Sequence, residues 1–496
     1  MPYSQTDSSS KPATSVQRLF RATTLIGGSS AISIILSILR TKVLAIYLGP
    51  SGIGLLSIYG TIMSTVAGFA GLGLQYSGVR QLSVSLGSED QSTIGRTRSA
   101  LQSLTLLMAV LGILFLLIFS KNISEWTFGK SESAFPIVML SIGVGFTVFT
   151  GAQTAVLTAY QRIAEIAKMM AWGALAGTIY SIAIAITQRG GGIIFIVTGT
   201  PVISFLFIWW YYRTVPQSTS NILIRGAVTQ WANLVRLGIA SMFGSLFAGV
   251  TLYLVRIMLI RHGGVEENGY FQAAWALCSL PVGILLNASY SEFYPEIARL
   301  SKDGGAMSNI ANEYIDLSLH MFYPIAAAMV TFSQYLIALL YSEDFLFAVD
   351  TLQWLALSIL FRVSSFGLTN IIHARGKALI FTLVEFIHNA AFVLLTYTML
   401  NNQGLKATGI AFLLSQVLYF IVALSLAKRE IGFKIKKRVI ISMFSVCSVL
   451  FVVIYINLMN PKFALFAGTG VTVALLFKYF RYAKRMGLFS LGKFLG

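Results

Sequence analysis

Chemistry in this sequence is scarce, and the groups that stand out are charges inside apolar runs. Arg40, Lys42, Arg256 and Arg362 lie within such runs, as does the pair Glu385 and His388. A charge at mid-bilayer costs at least about 2.5–3.5 kcal/mol, so each must be compensated or used. Guanidinium groups offer phosphate a bidentate bond that an ammonium cannot. Arg40 and Arg256 therefore read in two ways: as paired grips on a diphosphate, or as outer-third residues that snorkel to the interface. Lys42 lies two positions from Arg40, about 200° around a helix, and reads as interfacial. Arg362 has about ten residues of apolar sequence on either side, too deep for easy snorkelling. It reads as a sugar or phosphate ligand, or as a structural partner for a neighbouring helix.

Glu385 and His388 stand at i and i+3, on one helix face, where they can pair with each other. Histidine changes charge near neutral pH, which suits proton coupling; the alternative is a hydrogen-bonded structural pair. Tyr76 and Tyr290 each close an apolar run. They suit either stacking on sugar rings or an interfacial aromatic belt. Neither a metal nor a cofactor is expected. The only two cysteines, Cys278 and Cys447, both lie in apolar runs and cannot build a zinc or iron–sulfur site. The short polar segments carry no phosphate-binding loop, no zinc-protease helix and no nucleophile elbow. ATP hydrolysis within this chain is thereby disfavoured.

The elements that must position these groups follow from composition. Of 496 residues, 56% are hydrophobic and 11% charged, against about 25% charged in an average soluble chain. Such a chain uses lipid as solvent. Roughly fourteen apolar stretches of about 20 residues each predict an all-α polytopic membrane protein. They are too long and too continuously apolar for barrel strands of about ten residues. The net charge is +18, from 36 Lys+Arg against 18 Asp+Glu. With the N-terminus inside, about 26 basic residues fall on the cytoplasmic side and about six outside. Both termini are then cytoplasmic, and the basic excess is mainly an orientation signal rather than a nucleic-acid site.

Four anchors repeat in order along the chain. Leu19-Phe20-Arg21 matches Leu234-Val235-Arg236, Leu39-Arg40 matches Val255-Arg256, Tyr76-Ser77 matches Tyr290-Ser291, and Tyr160-Gln161-Arg162 matches His373-Ala374-Arg375, at offsets of 213 to 216. That offset equals six helices, so two six-helix lobes enter the membrane in the same direction, a known transporter plan. The predicted organisation is a disordered cytoplasmic tail (1–16), an N-terminal lobe (17–214), a C-terminal lobe (215–430), two additional transmembrane helices (431–480) and a basic cytoplasmic tail (481–496).

The stretch Arg40-Thr41-Lys42-Val43-Leu44-Ala45-Ile46-Tyr47-Leu48-Gly49-Pro50, continuing Ser51-Gly52-Ile53-Gly54, and then Gly71-Leu72-Gly73-Leu74-Gln75-Tyr76, resembles Wzx-type polysaccharide (O-antigen) flippases. Their superfamily, the multidrug/oligosaccharidyl-lipid/polysaccharide exporters, also holds lipid II flippases and multidrug and toxic compound extrusion (MATE) transporters. The resemblance implies a V-shaped pair of lobes working by alternating access. It implies movement of an undecaprenyl-diphosphate-linked oligosaccharide, an O-antigen or exopolysaccharide repeat unit, to the periplasmic leaflet of a bacterial inner membrane. Its implied partners are that lipid-linked oligosaccharide, membrane lipids, a polysaccharide polymerase and a chain-length regulator, and not nucleic acid. Wzx proteins usually have twelve helices; the extra two depart from that number, and as a lipid-tail groove of the kind known from lipid II flippases they would make the alternative a lipid II-type flippase.

Two other classes compete. A cation-coupled drug antiporter of the same fold would hold carboxylates in its first lobe, but the acids from Thr23 to Tyr212 are Glu89, Asp90, Glu125, Glu132 and Glu165, all in loops or at helix ends. A membrane polymerase or ligase would need a large outer loop, and none is available.

Overall fold

Apolar segments of this length satisfy their backbone in lipid by helical bonds, and every regular element among the described residues is a helix. The computed structural model describes residues 15–88, 90–216 and 224–486. In order the helices are α1 Ser15–Gly71, α2 Leu74–Gly87, α3 Gln91–Phe128, α4 Ala134–Ala159, α5 Ile163–Gln188, α6 Ile193–Tyr212 and α7 Ile224–Arg299. They continue with α8 Gly304–Thr331, α9 Ser333–Leu340, α10 Val349–Ala374, α11 Ala378–Gln403, α12 Lys406–Ile431, α13 Lys437–Met459 and α14 Pro461–Arg485.

Helix α1 has 57 residues and α7 has 76, far more than the roughly 20 needed to cross a bilayer. Each is broken by a glycine in a conformation that other residues resist: Gly49 at φ 63° and Gly264 at φ 82°. Eleven helices are long and apolar enough to cross, twelve with α8 and α9 taken as one span bent by 80°. Dividing α1 and α7 at their glycines accounts for the fourteen passages that the sequence predicts.

The two breaks fix the register of the internal repeat at 215, the spacing of Gly49 and Gly264. Gly54 and Gly269 share it. A Cβ on Gly54 would fall 2.0 Å from the Val265 carbonyl oxygen, and one on Gly269 would fall 2.0 Å from that of Pro50. Each start of a second passage thus presses backbone against the residue after the other's break. Ser51 donates to Glu266 at 2.8 Å, and Asn268 Nδ2 donates to the Gly54 carbonyl and to Ser57 Oγ, both at 2.8 Å.

All of these contacts lie inside one compact unit. That unit comprises Lys42–Ile62, Asn122–Ser133 and Phe243–Gly496, whereas the other comprises Met1–Thr41, Met63–Lys121 and Ala134–Met242. The units therefore cut across the repeat, because the middle of α1 and the C-terminal end of α3 pack with second-half helices. In the first unit, Leu74, Leu82, Leu101, Leu104, Val156 and Ile208 form a core, with Trp231 donating to Ser103 Oγ at 3.1 Å. In the second, α10 is central: its apolar window is 89% buried, and α8, α11, α12 and α13 pack on it. The additional helices α13 and α14 belong to this unit. Asn312 of α8 holds their leading segment, donating to the Lys434 carbonyl at 3.1 Å and accepting from the Lys436 amide at 2.9 Å. Gly468 of α14 passes Thr331 where a Cβ would sit 2.4 Å from its hydroxyl.

These glycines should differ in their response to alanine. At Gly49 and Gly264 a Cβ meets nothing within 4 Å, so each substitution should cost only the left-handed strain of about 1–2 kcal/mol. Gly54→Ala and Gly269→Ala drive a methyl into a carbonyl oxygen and should lower the thermal midpoint of the purified protein more. Equal losses at all four positions would count against the backbone crossing.

Candidate functional site

The second unit holds five of the six charged groups singled out in the sequence, and three of them lie on neighbouring helices. Arg362 is on α10, Glu385 and His388 on α11, and α12 lies across both. From Leu355 to Ile372, Arg362 is the only residue that is not fully buried. Its guanidinium lies 5.7 Å over the Phe412 ring. Phe412 in turn touches Trp275 at 5.0 Å, Phe392 at 5.0 Å and His388 at 5.9 Å between ring centres. Among the described residues Arg362 makes no ion pair and no hydrogen bond, although Glu385, Tyr419 and Cys278 lie near enough to act on it electrostatically. The cavity beside it, between Trp275, Cys278, Ser279 and Phe412, has about 10 Å³, room for about one water.

Glu385 and His388 do not bond to each other as their spacing suggests. Both reach across to α12: Glu385 accepts from the Tyr419 hydroxyl, and His388 Nε2 lies 3.3 Å from Gln416 Nε2. His388 and Asn389 are buried, and Asn389 donates back to the Glu385 carbonyl at 2.8 Å. Tyr419 and Gln416 are the members of this cluster that sequence reasoning missed. Their signal is an amide and a phenol at i and i+3 in an otherwise apolar helix.

Arg256 has a different environment. It is 2% exposed, its Nη1 donates to Asn268 Oδ1 at 3.0 Å, its Nη2 donates to Gln272, and its ring neighbour Phe271 is 5.6 Å away. Asn268 is the residue that bonds Gly54 and Ser57, so Arg256 braces the glycine crossing. The 215 register also sets Arg256 opposite Thr41, one residue past Arg40. The two arginines therefore begin about 100° apart around their helices, which departs from the equivalence expected from the Leu39-Arg40 and Val255-Arg256 anchors.

Arg40 belongs to the first unit. It is half-buried, its Nε has no hydrogen-bond partner, and it makes no ion pair among the described residues. Lys42 instead donates to the Ala338 carbonyl at 2.8 Å, in the last turn of α9, where the helix dipole favours a cation. Tyr76 is 67% exposed at the start of α2. Tyr290 falls in α7, and its side chain lies outside the described residues.

The first unit also holds a cavity of about 340 Å³ that the sequence did not reveal, lined by Gln102, Thr105, Phe149, Gln153, Phe205, Trp209 and Tyr212. It has aromatic faces and amides but no charge at its lining. Tyr212 is fixed by Arg98 Nε, which donates to its hydroxyl at 3.1 Å, and by Gln102. Gln153 Oε1 is buried without a partner. Such a lining suits a polyhydroxylated ring, with stacking on aromatic faces and bonds to amides.

Over residues 43–350 the sequence matches the polysaccharide biosynthesis protein family. Among solved structures, lipid II flippase MurJ in an inward closed conformation aligns with TM-score 0.71 at 14% identity, over 92% of this chain and 99% of that one. A multidrug resistance MATE family transporter of the MOP superfamily, inward-facing, gives 0.67 at 15% identity, over 84% and 97%. A MOP superfamily transporter from Pyrococcus furiosus, with a binding pocket described as reversed in polarity, gives 0.61 at 16% identity, over 85% and 99%. At these identities the likeness is one of fold. No curated protein matches this sequence.

The contrast between two arginines can be measured. Arg256→Ala strands Asn268 Oδ1 and the Gln272 amide oxygen, and should cost about 1–3 kcal/mol of stability. Arg40→Ala removes a charge with no protein counter-ion and should leave the thermal midpoint nearly unchanged. Equal destabilisation would make both arginines architectural.

Proposed function

Because the chain belongs to the polysaccharide biosynthesis protein family, we propose that it is a flippase for an undecaprenyl-diphosphate-linked oligosaccharide. In this reading it carries an O-antigen or exopolysaccharide repeat unit from the cytoplasmic to the periplasmic leaflet of a bacterial inner membrane, with both termini cytoplasmic. It acts as a transporter rather than an enzyme, and its protein partners are a polysaccharide polymerase and a chain-length regulator. Arg362 is the observation that carries the reading. A guanidinium within a central, buried helix, lacking a protein ion pair among the described residues, is kept for an anion from outside the protein.

Arg362 in the second unit and Arg40 in the first are each candidates for a phosphate oxygen, and the neutral aromatic cavity of the first unit is a candidate for a sugar ring. Tyr76 and Tyr290, the other sugar candidates, are secondary in this scheme. Arg256 would hold the Gly54–Gly269 crossing closed until the cycle opens it. Glu385 and His388 would couple the cycle to protons. The membrane potential assists as well, since a diphosphate of about −2 charge moving outward gains about 4.6 kcal/mol per 100 mV, negative inside.

A drug antiporter fits less well, because cationic substrates need buried acids. In the first half, Glu165 is taken by Arg162 at 3.1 Å, Asp90 accepts from Ser92 and Thr93 ahead of α3, and Glu125 and Glu132 lie at the far end of α3 and in the turn after it. Glu89 lies outside the described residues.

Proteoliposomes holding a lipid-linked oligosaccharide test the reading. Translocation in the cytoplasm-to-outside sense should accelerate with an inside-negative potential, and Arg362→Gln should slow it by at least about tenfold, the loss of one charge-assisted bond. Equal rates in wild type and variant would remove Arg362 from the path. Glu385→Gln should flatten the pH dependence of the rate, and an unchanged profile would reduce Glu385 to a partner of Tyr419.

A further inference from the structure

One end of α14 carries a site that the translocation scheme does not use. Between α8, α13 and α14 lies a cavity of about 610 Å³, lined by Arg438, Lys478, Arg481 and Arg485 together with Phe477 and Tyr482. Lys478, Arg481 and Arg485 succeed one another at intervals of three and four, one face of a helix. Lys478 is engaged, donating to Ser442 Oγ at 2.7 Å and lying 5.2 Å over the Tyr323 ring. Arg438, Arg481 and Arg485 make no ion pair and no hydrogen bond among the described residues.

Asp316 acts electrostatically on Arg438 and Lys478, but one carboxylate faces four cations and is itself engaged. Asp316 is bonded to His320 at 3.3 Å and to Tyr482, while Glu313 is exposed on α8. His320 stacks on Tyr482 at 4.1 Å and 12°, which stiffens the wall on which the arginines converge. A solvated, orientation-setting charge run needs neither a cavity nor a stacked wall.

The surface of α14 changes character beyond the cations. Phe477 lines the cavity, and toward the other end of the helix Val473, Phe466 and Phe463 are exposed at 45%, 80% and 56%. A row of guanidiniums continuing into an exposed apolar stripe matches a molecule with an anionic head and an acyl tail, not a free ion.

We propose that this cavity binds the phosphate headgroup of an anionic diacyl phospholipid, with the acyl chains along Phe477 and Phe466. Basic pockets between transmembrane helices are suited to that role. The site depends on charge and shape at α13 and α14 and stands independently of the cargo moved elsewhere in the chain.

Purified protein in a neutral detergent should be titrated with phosphatidylglycerol or phosphatidylcholine while thermal unfolding is followed, with lipid adducts counted by native mass spectrometry. Phosphatidylglycerol should act at a concentration about tenfold lower than phosphatidylcholine. The double substitution Arg481→Gln with Arg485→Gln should erase that preference, whereas Arg429→Gln at the end of α12, which removes a charge away from the cavity, should keep it. Arg438→Gln on α13 provides the same test if the double variant does not fold. Equal action of the two lipids would overturn the proposal. So would a shift of the same size from inorganic phosphate, or tighter binding of a polyprenyl phosphate, which would make the cavity part of the substrate path.

Discussion

The close approach of two backbones governs the breaks in α1 and α7. Gly54 lies against the Val265 carbonyl and Gly269 against that of Pro50, and neither contact leaves space for a methyl group. Only because these chains touch can Asn268 reach the Gly54 carbonyl and Ser57 at 2.8 Å. Only because Asn268 is held there does Arg256 have a fixed acceptor at 3.0 Å. A buried guanidinium would be costly alone; with two side-chain amide oxygens it becomes the brace of the crossing.

The same criterion sorts the other membrane charges. Lys42 is satisfied by a carbonyl at the end of α9 and so has a structural reason to exist, whereas Glu385 shares its Tyr419 bond with the coupling role proposed for it. Arg40 and Arg362 lack such partners among the described residues. A charge that the protein leaves unsatisfied in lipid points to a ligand, whereas one that it satisfies points to architecture.

The fourteen passages were legible in the sequence because apolar length is a local property. The repeat was legible too, but only loosely, since doublets such as Leu39-Arg40 slide by a residue without penalty in a text comparison. Gly49 and Gly264 fix the register because positive φ tolerates no slippage, and that single residue separates Arg40 from Arg256. The partners of Glu385 and His388 were hidden for another reason. Spacing on α11 predicts that they face one way, but not that Tyr419 and Gln416 on α12 compete for them. The neutral cavity of the first unit has no charged residue at its lining to mark it in an apolar sequence. The arginines of α14 were visible from the start, but they read as orientation because a one-dimensional count cannot distinguish a solvated row from a lined cavity.

A transporter must release what it binds, so under the proposed role of Arg362 its surroundings would bear on release as well as capture. An isolated guanidinium in a low-dielectric site would hold a diphosphate so strongly that the bound state became a trap. Here Phe412 covers one face at 5.7 Å, which stabilises the cation in the absence of any anion. Glu385 is close enough to act on Arg362 electrostatically and accepts a hydrogen bond from Tyr419. A resident carboxylate at that distance lowers the affinity for an incoming anion and compensates the charge after it departs. Were Glu385 to move into contact, the pair would be self-sufficient and the site would lose its reason to bind a substrate. In the proposed cycle the Tyr419 bond would therefore keep Arg362 between two failures, a cation that never releases its ligand and one that never needs it.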